Sequence, residues 1–187
     1  TSITVSSATL GATILADGDS PLIERGTVWS TAPSPTGNAL AEGGSGSGPF
    51  TQARMGLPAG SRIYYRGYAT NSEGTSYSPQ GSFYTEPLLQ ASGVAFPATS
   101  QTGMTVNWTR GDGDGVIVLM KQGAPVDAYP VDGIHSAYTA SATFGGGSQL
   151  GSGNYIIHLG PDTGVAVSGL IPETTYHVAV IEYTGTG

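Results

Sequence analysis

Short segments of alternating apolar and polar residues recur along the chain, each closed by Gly, Pro, Asn or Asp. In the first half they are "SITVSSATLGATIL", "ERGTVWST", "RIYYRGYAT" and "GSFYTE". The second half holds "GMTVNWT", "GVIVLMKQ", "NYIIHLG", "GVAVSGL" and "TYHVAVIEY". β-Branched and aromatic side chains fill these segments, and alternation sends every second residue to the same face, as in a half-buried strand. Helical spacing is hard to find. Turn residues separate the segments at intervals of roughly 8 to 12 residues, the rhythm of an antiparallel sandwich. The chain is therefore expected to be all-β.

One sub-pattern occurs twice. Leu57 precedes "PAGSRIYYRGYA", and Leu170 precedes "IPETTYHVAVIE". In both, a leucine and a proline lead a short turn, and an alternating strand starts six residues after the leucine. Such a repeat predicts two sandwiches in tandem. The boundary is expected at Glu86-Pro87, giving units 1–86 and 87–187.

Composition narrows the function classes. Thirty glycines and twelve prolines in 187 residues could suggest disorder, but 38% of residues are hydrophobic, too many for a chain without a core. Thirteen acidic against six basic residues give a net charge of -7, and no Lys/Arg cluster offers a basic face to phosphates, so nucleic acid is not an expected partner. No apolar run approaches the roughly 20 residues of a membrane helix, so membrane insertion is not expected. With no cysteine, disulfides and thiolate metal sites are excluded. The chain begins at Thr1 without an initiator Met or a signal peptide, as expected of a segment processed or cut from something longer.

The segment around Leu170, Pro172, Thr174, Thr175, Tyr176 and Val178 resembles the E–F corner of fibronectin type III domains. Residues 3 to 85 resemble a bacterial variant of that module through "ATLGATI", "ERGTVWST", "GSGSGPF" and "YYRGYATNSEGTSYSPQGSFYT". Residues 91 to 187 resemble a second bacterial type through "MTVNWTRGDGDG", "PVDGIHSAYTASATFGGGSQLGSGNYIIHLG" and "LIPETTYHVAVIEYTGTG". The resemblance implies two tandem fibronectin type III-like β-sandwiches, immunoglobulin-like in architecture and extracellular in setting. It also implies that Tyr176 is the corner tyrosine of the second unit. The first unit has Ile63 there, which has no hydroxyl to donate, so that corner is expected to be held by packing alone.

"WTRGDGDGV" at 108 to 116 admits three readings. Alternation places Met104, Val106 and Trp108 on one face, with Trp108 in the core and Asn107, of the sequon Asn107-Trp108-Thr109, facing out. Residues 109 to 115 then join two strands, and their glycines and aspartates suit a turn. Calcium binding by Asp112 and Asp114 is the sharper reading, but a hard cation needs six to eight oxygens and Asp132 would have to come from elsewhere. The third reading is that Arg110-Gly111-Asp112 is an adhesion tripeptide. The resembled module carries this tripeptide as part of its ordinary loop.

Catalytic signals are missing from the sequence. His135, His158 and His177 are scattered, with His177 on the face opposite Tyr176 and Val178, where a solvated strand residue is expected. "GGGSQLGSG" at 145 to 153 precedes no helix that could cradle phosphate. No cofactor is expected apart from the calcium reading. A binding face is better supported: with Ile63 and Tyr65 inward, Tyr64, Arg66 and Tyr68 share the outer face, and Arg25 and Trp29 alternate on a strand expected beside them. Such a face either stiffens the sheet or forms an aromatic platform for a polysaccharide or a neighbouring protein.

The reading is a non-catalytic structural or adhesive module of an extracellular bacterial surface or filament-forming protein. Its alternative is a carbohydrate-binding or spacer module attached to an extracellular hydrolase. The second unit ends at "VIEYTGTG" with no candidate for a seventh strand. Two expectations follow for its partner. Either the polypeptide continues past Gly187 and supplies the strand, or an identical chain donates one, "SITVSS" being an alternating segment fit for donation. Head-to-tail donation would build an open filament.

Overall fold

A computed structural model describes residues 2–185 of the chain. The chain divides into two compact units, Thr1–Glu86 and Pro87–Gly187. The first unit holds β1 (Ser7–Ile14), β2 (Glu24–Ser30), β3 (Leu40–Ala41), β4 (Gly48–Met55), β5 (Arg62–Asn71), β6 (Gly74–Tyr77) and β7 (Gly81–Tyr84). The second holds β8 (Ser92–Thr99), β9 (Gly103–Thr109), β10 (Gly115–Gln122), β11 (Gln149–Leu150), β12 (Asn154–Gly160), β13 (Gly164–Ser168) and β14 (Tyr176–Tyr183). The only helical turn among the described residues is a 3-10 turn at His135–Ala137.

In the first unit β1 pairs with β4, and the facing sheet runs β3-β2-β5-β6. β7 also pairs with β5, so β6 and β7 form two halves of one broken seventh strand. Ala8, Leu10, Leu57 and Ile63 are buried between the sheets, with Trp29, Tyr65 and Phe83 packed against them. Gly67 is glycine because the sheets nearly touch there: a Cβ would lie 2.3 Å from that of Ala12.

The first corner is not held by packing alone. The Thr85 hydroxyl, just beyond β7, donates to the Pro58 carbonyl at 2.6 Å and accepts the Ser61 amide at 3.0 Å. A threonine two dozen residues downstream thus does what a corner tyrosine would do. In the second unit Tyr176 acts as the resemblance implies, its hydroxyl accepting the Ile171 amide at 2.9 Å.

The second unit sets β13-β9-β8 against β11-β12-β10-β14. Val106, Trp108, Val116, Val118, Met120 and Ile157 form the core between these sheets. β10 is buried on both faces, which is why "VIVLM" shows no alternation. Its outer face, Ile117 and Leu119 with Ile156 of β12, is covered by Val126, Tyr138 and Leu150 from the excursion between β10 and β12. Asn154, fully buried, fastens the start of that excursion: its amide donates to Asp127 at 2.9 Å and to the Leu150 carbonyl at 2.9 Å. The excursion then runs along β13, with a parallel bridge at Thr143 and Ser168.

The opposite side of this unit is different. β8 pairs only with β9 and β14 only with β10. No strand among the described residues lies along either outer edge. The segment 2–6 serves its own unit: Ile3 bridges Ala8 and packs on the first core, and the Thr9 amide donates to the Ser2 carbonyl.

Candidate functional site

The loop from Arg110 to Asp114 is drawn onto the end of β14. Glu182 has a fully enclosed side chain, and Arg110 grips it with Nε at 2.8 Å and Nη2 at 2.9 Å. The remaining guanidinium donors go to the carbonyls of Pro161 and Gly113, both at 2.7 Å, and the Gly111 amide donates to the same carboxylate at 2.6 Å. The bond to Glu182 raises the Arg110 pKa further above its ordinary value. Gly111 is glycine because a Cβ there would lie 1.9 Å from the Leu89 carbonyl oxygen. The Arg-Gly-Asp tripeptide is thus built into the unit, with its arginine already engaged.

Asp112 accepts the Leu89 amide at 2.8 Å and Asp114 the Gly185 amide at 2.7 Å. Both serve as acceptors for main-chain amides, the usual work of aspartate in a turn. Asp132 lies exposed in the excursion. Nowhere among the described residues do three His, Asp or Glu side chains gather as a metal would need. The histidines are also separate. His135 stacks on the Tyr183 ring at 4.4 Å, His158 lies 5.5 Å from the Trp108 ring, and half-buried His177 pairs in register with Lys121.

In the first unit the structure divides the expected binding face in two. Register pairs Trp29 with Tyr65 and Val28 with Arg66 across β2 and β5. Directly opposed residues share a face, so Trp29 and Arg25 lie with Ile63 and Tyr65 on the core side. Arg25 is used there: Nε bonds Glu42 at 2.8 Å, and its guanidinium lies 5.1 Å from the Phe50 ring centre. Tyr64, Arg66 and Tyr68 do share the outer face. Tyr68 is itself buried, and its hydroxyl bonds Glu24; burial first, and that bond second, push its pKa up to about 12.

Three residues absent from the expected face complete it. The register sets Arg62 opposite Tyr84 and Tyr68 opposite Tyr77. The Arg62 guanidinium lies 5.0 Å from the Tyr64 ring centre and 5.7 Å from that of Tyr84. That of Arg66 lies 4.8 Å from Tyr77, with its Nε held by the Ser78 carbonyl at 2.8 Å. The sequence signal was the alternation Arg62-Tyr64-Arg66 itself; only the strand pairing brings the other two rings to it.

A third feature is the open side of the second unit. The Gly123 amide donates to the Thr175 carbonyl, so odd-numbered positions along β14 exchange bonds with β10 and even-numbered ones point to the free edge. The Glu182 amide, an even position, donates to the Gln90 side chain at 3.0 Å. That leaves the outward amides of Tyr176, Val178 and Val180, whose side chains line the core. Across the gap all of β8 is exposed, including Val94 and Phe96.

No known protein family matches the chain, and neither does any curated protein. Among solved structures it is similar to the FN1–FN3 domains of chicken CNTN1, with 12% identity and a TM-score of 0.41. That match covers 98% of this chain and 56% of the other, so the chain spans little more than half of that segment. It is also similar to a two-domain fibronectin type III segment of chicken tenascin, with 18% identity and a TM-score of 0.37, covering 99% and 88% of the two chains. The strand order of each unit defines the fold: two tandem fibronectin type III-like β-sandwiches.

Proposed function

We propose that this chain is a pair of non-catalytic structural modules in an adhesive extracellular assembly, and that a further extended strand pairs with the free edge of β14 in the second module. The open edge of β14 carries this reading. Tyr176, Val178 and Val180 present main-chain groups to the edge and apolar side chains to the core, so an extended segment with alternating apolar residues would satisfy both. From Tyr176 to Val180 this edge has no proline and no Asp, Glu, Lys or Arg to block pairing, which invites such a partner. The Arg110–Glu182 and Asn154–Asp127 clusters agree with a structural role, since their donors and acceptors are used in holding loops to sheets.

Amide hydrogen exchange tests the proposal. In dilute chain the Val178 and Val180 amides should exchange within the time of an exposed edge. In the assembled protein, isolated from its source, they should be protected as strongly as those of Ile117 and Leu119. Fast exchange at Val178 and Val180 in the assembled protein would sink the reading.

A second reading, a carbohydrate-binding module, is supported by a separate observation, the Arg62-Tyr64-Arg66 face of the first unit.

A further inference from the structure

The chain holds six basic residues against thirteen acidic ones. Arg25, Arg110 and Lys121 are each ion-paired with a carboxylate. Arg54 is buried and satisfied by the carbonyls of Thr27 and Asn38. The remaining two, Arg62 and Arg66, have no carboxylate partner among the described residues, and both lie on the outer face of β5. Among the described residues, the arginine side chains without a carboxylate thus lie on one face, interleaved with the rings of Tyr64, Tyr77 and Tyr84.

We propose that this face binds a polysaccharide bearing carboxylates, with Arg62 and Arg66 gripping the acid groups and the three tyrosines carrying sugar rings. This goes beyond the strand-completion reading and is independent of it; it deepens the carbohydrate-binding one by naming the sugar class.

Charge complementarity sets the sign of the ligand. The rings set its geometry, because a guanidinium held against an aromatic face is pre-organised and loses little freedom on binding. Arg66 is fixed further through Nε, leaving its two terminal nitrogens to meet a carboxylate side by side. Arg62 has one bond, to the Ser82 hydroxyl at 3.3 Å, and keeps its other donors. Four residues along a strand separate the two arginines by about 13 Å at ~3.3 Å per residue, which calls for a polymer rather than a single sugar.

Other polyanions fit less well. Two cations on a chain of charge -7 cannot hold the dense phosphate backbone of nucleic acid. A protein segment would want an apolar seat; the aliphatic neighbour of Arg66 on this face, Val28, is buried, and the accessible outer positions Arg62, Tyr64, Arg66, Ser82 and Tyr84 offer no aliphatic side chain.

Titration calorimetry with polygalacturonate, its fully methyl-esterified form and polyglutamate tests the proposal. Polygalacturonate should bind. The ester, with the same rings and no charge, should bind at least tenfold more weakly, and so should polyglutamate. Arg66→Gln and Arg62→Gln should each weaken polygalacturonate at least fivefold while leaving the melting temperature within about a degree of the parent. Should Arg66→Gln lower that temperature, Arg66→Lys serves instead: it keeps the charge, and loss of affinity in a variant that melts normally supports side-by-side recognition. No binding of polygalacturonate, equal binding of the ester, equal binding of polyglutamate, or full affinity in both glutamine variants overturns the proposal.

Discussion

Arg110 and Glu182 are joined at two points, 2.8 and 2.9 Å apart, around a carboxylate with no exposed surface. The pair locks the β9–β10 loop to the last strand of its sheet. Removing one member of such a pair leaves the other buried and uncompensated, at a typical cost of about 3–5 kcal/mol. Glu182→Ala should therefore destabilise the second unit by that order. Trp108 lies in the second unit and Trp29 in the first, so urea unfolding followed by tryptophan fluorescence in a Trp29→Phe background reports the second unit. A loss below about 1 kcal/mol would show that the pair only decorates the loop.

Thr85 predicts a specific loss in the first unit. Thr85→Val keeps the shape but strands the Pro58 carbonyl and the Ser61 amide, which should cost about 1–3 kcal/mol. Thr85→Ser should keep most of the stability. Equal behaviour of Val and Ser in chemical denaturation would mean that the hydroxyl is idle.

His158 makes the second unit sensitive to acid. Burial holds its imidazole below the ordinary histidine value, Asp162 offsets this in part, and Arg110 adds to the lowering. The unfolded chain therefore takes up the proton first. Its contribution is complete above a pH of about 6.5 and is lost as pH falls from there toward the lower folded value. The melting temperature of the second unit should fall between pH 7.5 and 5.5, and less so in His158→Gln. An unchanged slope in that variant would place the effect elsewhere.

The aspartates of the loop give a metal test. Asp112 and Asp114 are engaged with main-chain amides, so calcium or EDTA should leave the melting temperature unchanged. A saturable rise with calcium that Asp112→Ala abolishes would make the loop a metal site.

How much of this was legible can be seen strand by strand. "GMTVNWT", "GVIVLMKQ" and "NYIIHLG" coincide with β9, β10 and β12, and Trp108 is buried as alternation requires. Local composition suffices there because β-branched residues, alternation and glycine stops all act within a few residues. The outer face of β5 was half legible. Tyr64 and Arg66 follow from alternation within one strand, but placing Arg25 and Trp29 beside them required a pairing register. A slip of one residue exchanges the two faces of a strand, and the register is decided by the packing of Trp29 and Ile63 in the core.

By itself, then, the sequence determined what short-range chemistry controls: the strands and the turns between them. Tertiary structure alone decided which distant groups meet. The Thr85 hydroxyl reaches Pro58 across 27 residues and Glu182 reaches Arg110 across 72. The excursion after β10 covers Ile117 and Leu119, and Tyr77 and Tyr84 come to rest against two arginines. Each of these is a contact between segments that carry no mark of one another, because burial and pairing are properties of the folded chain and not of any window along it.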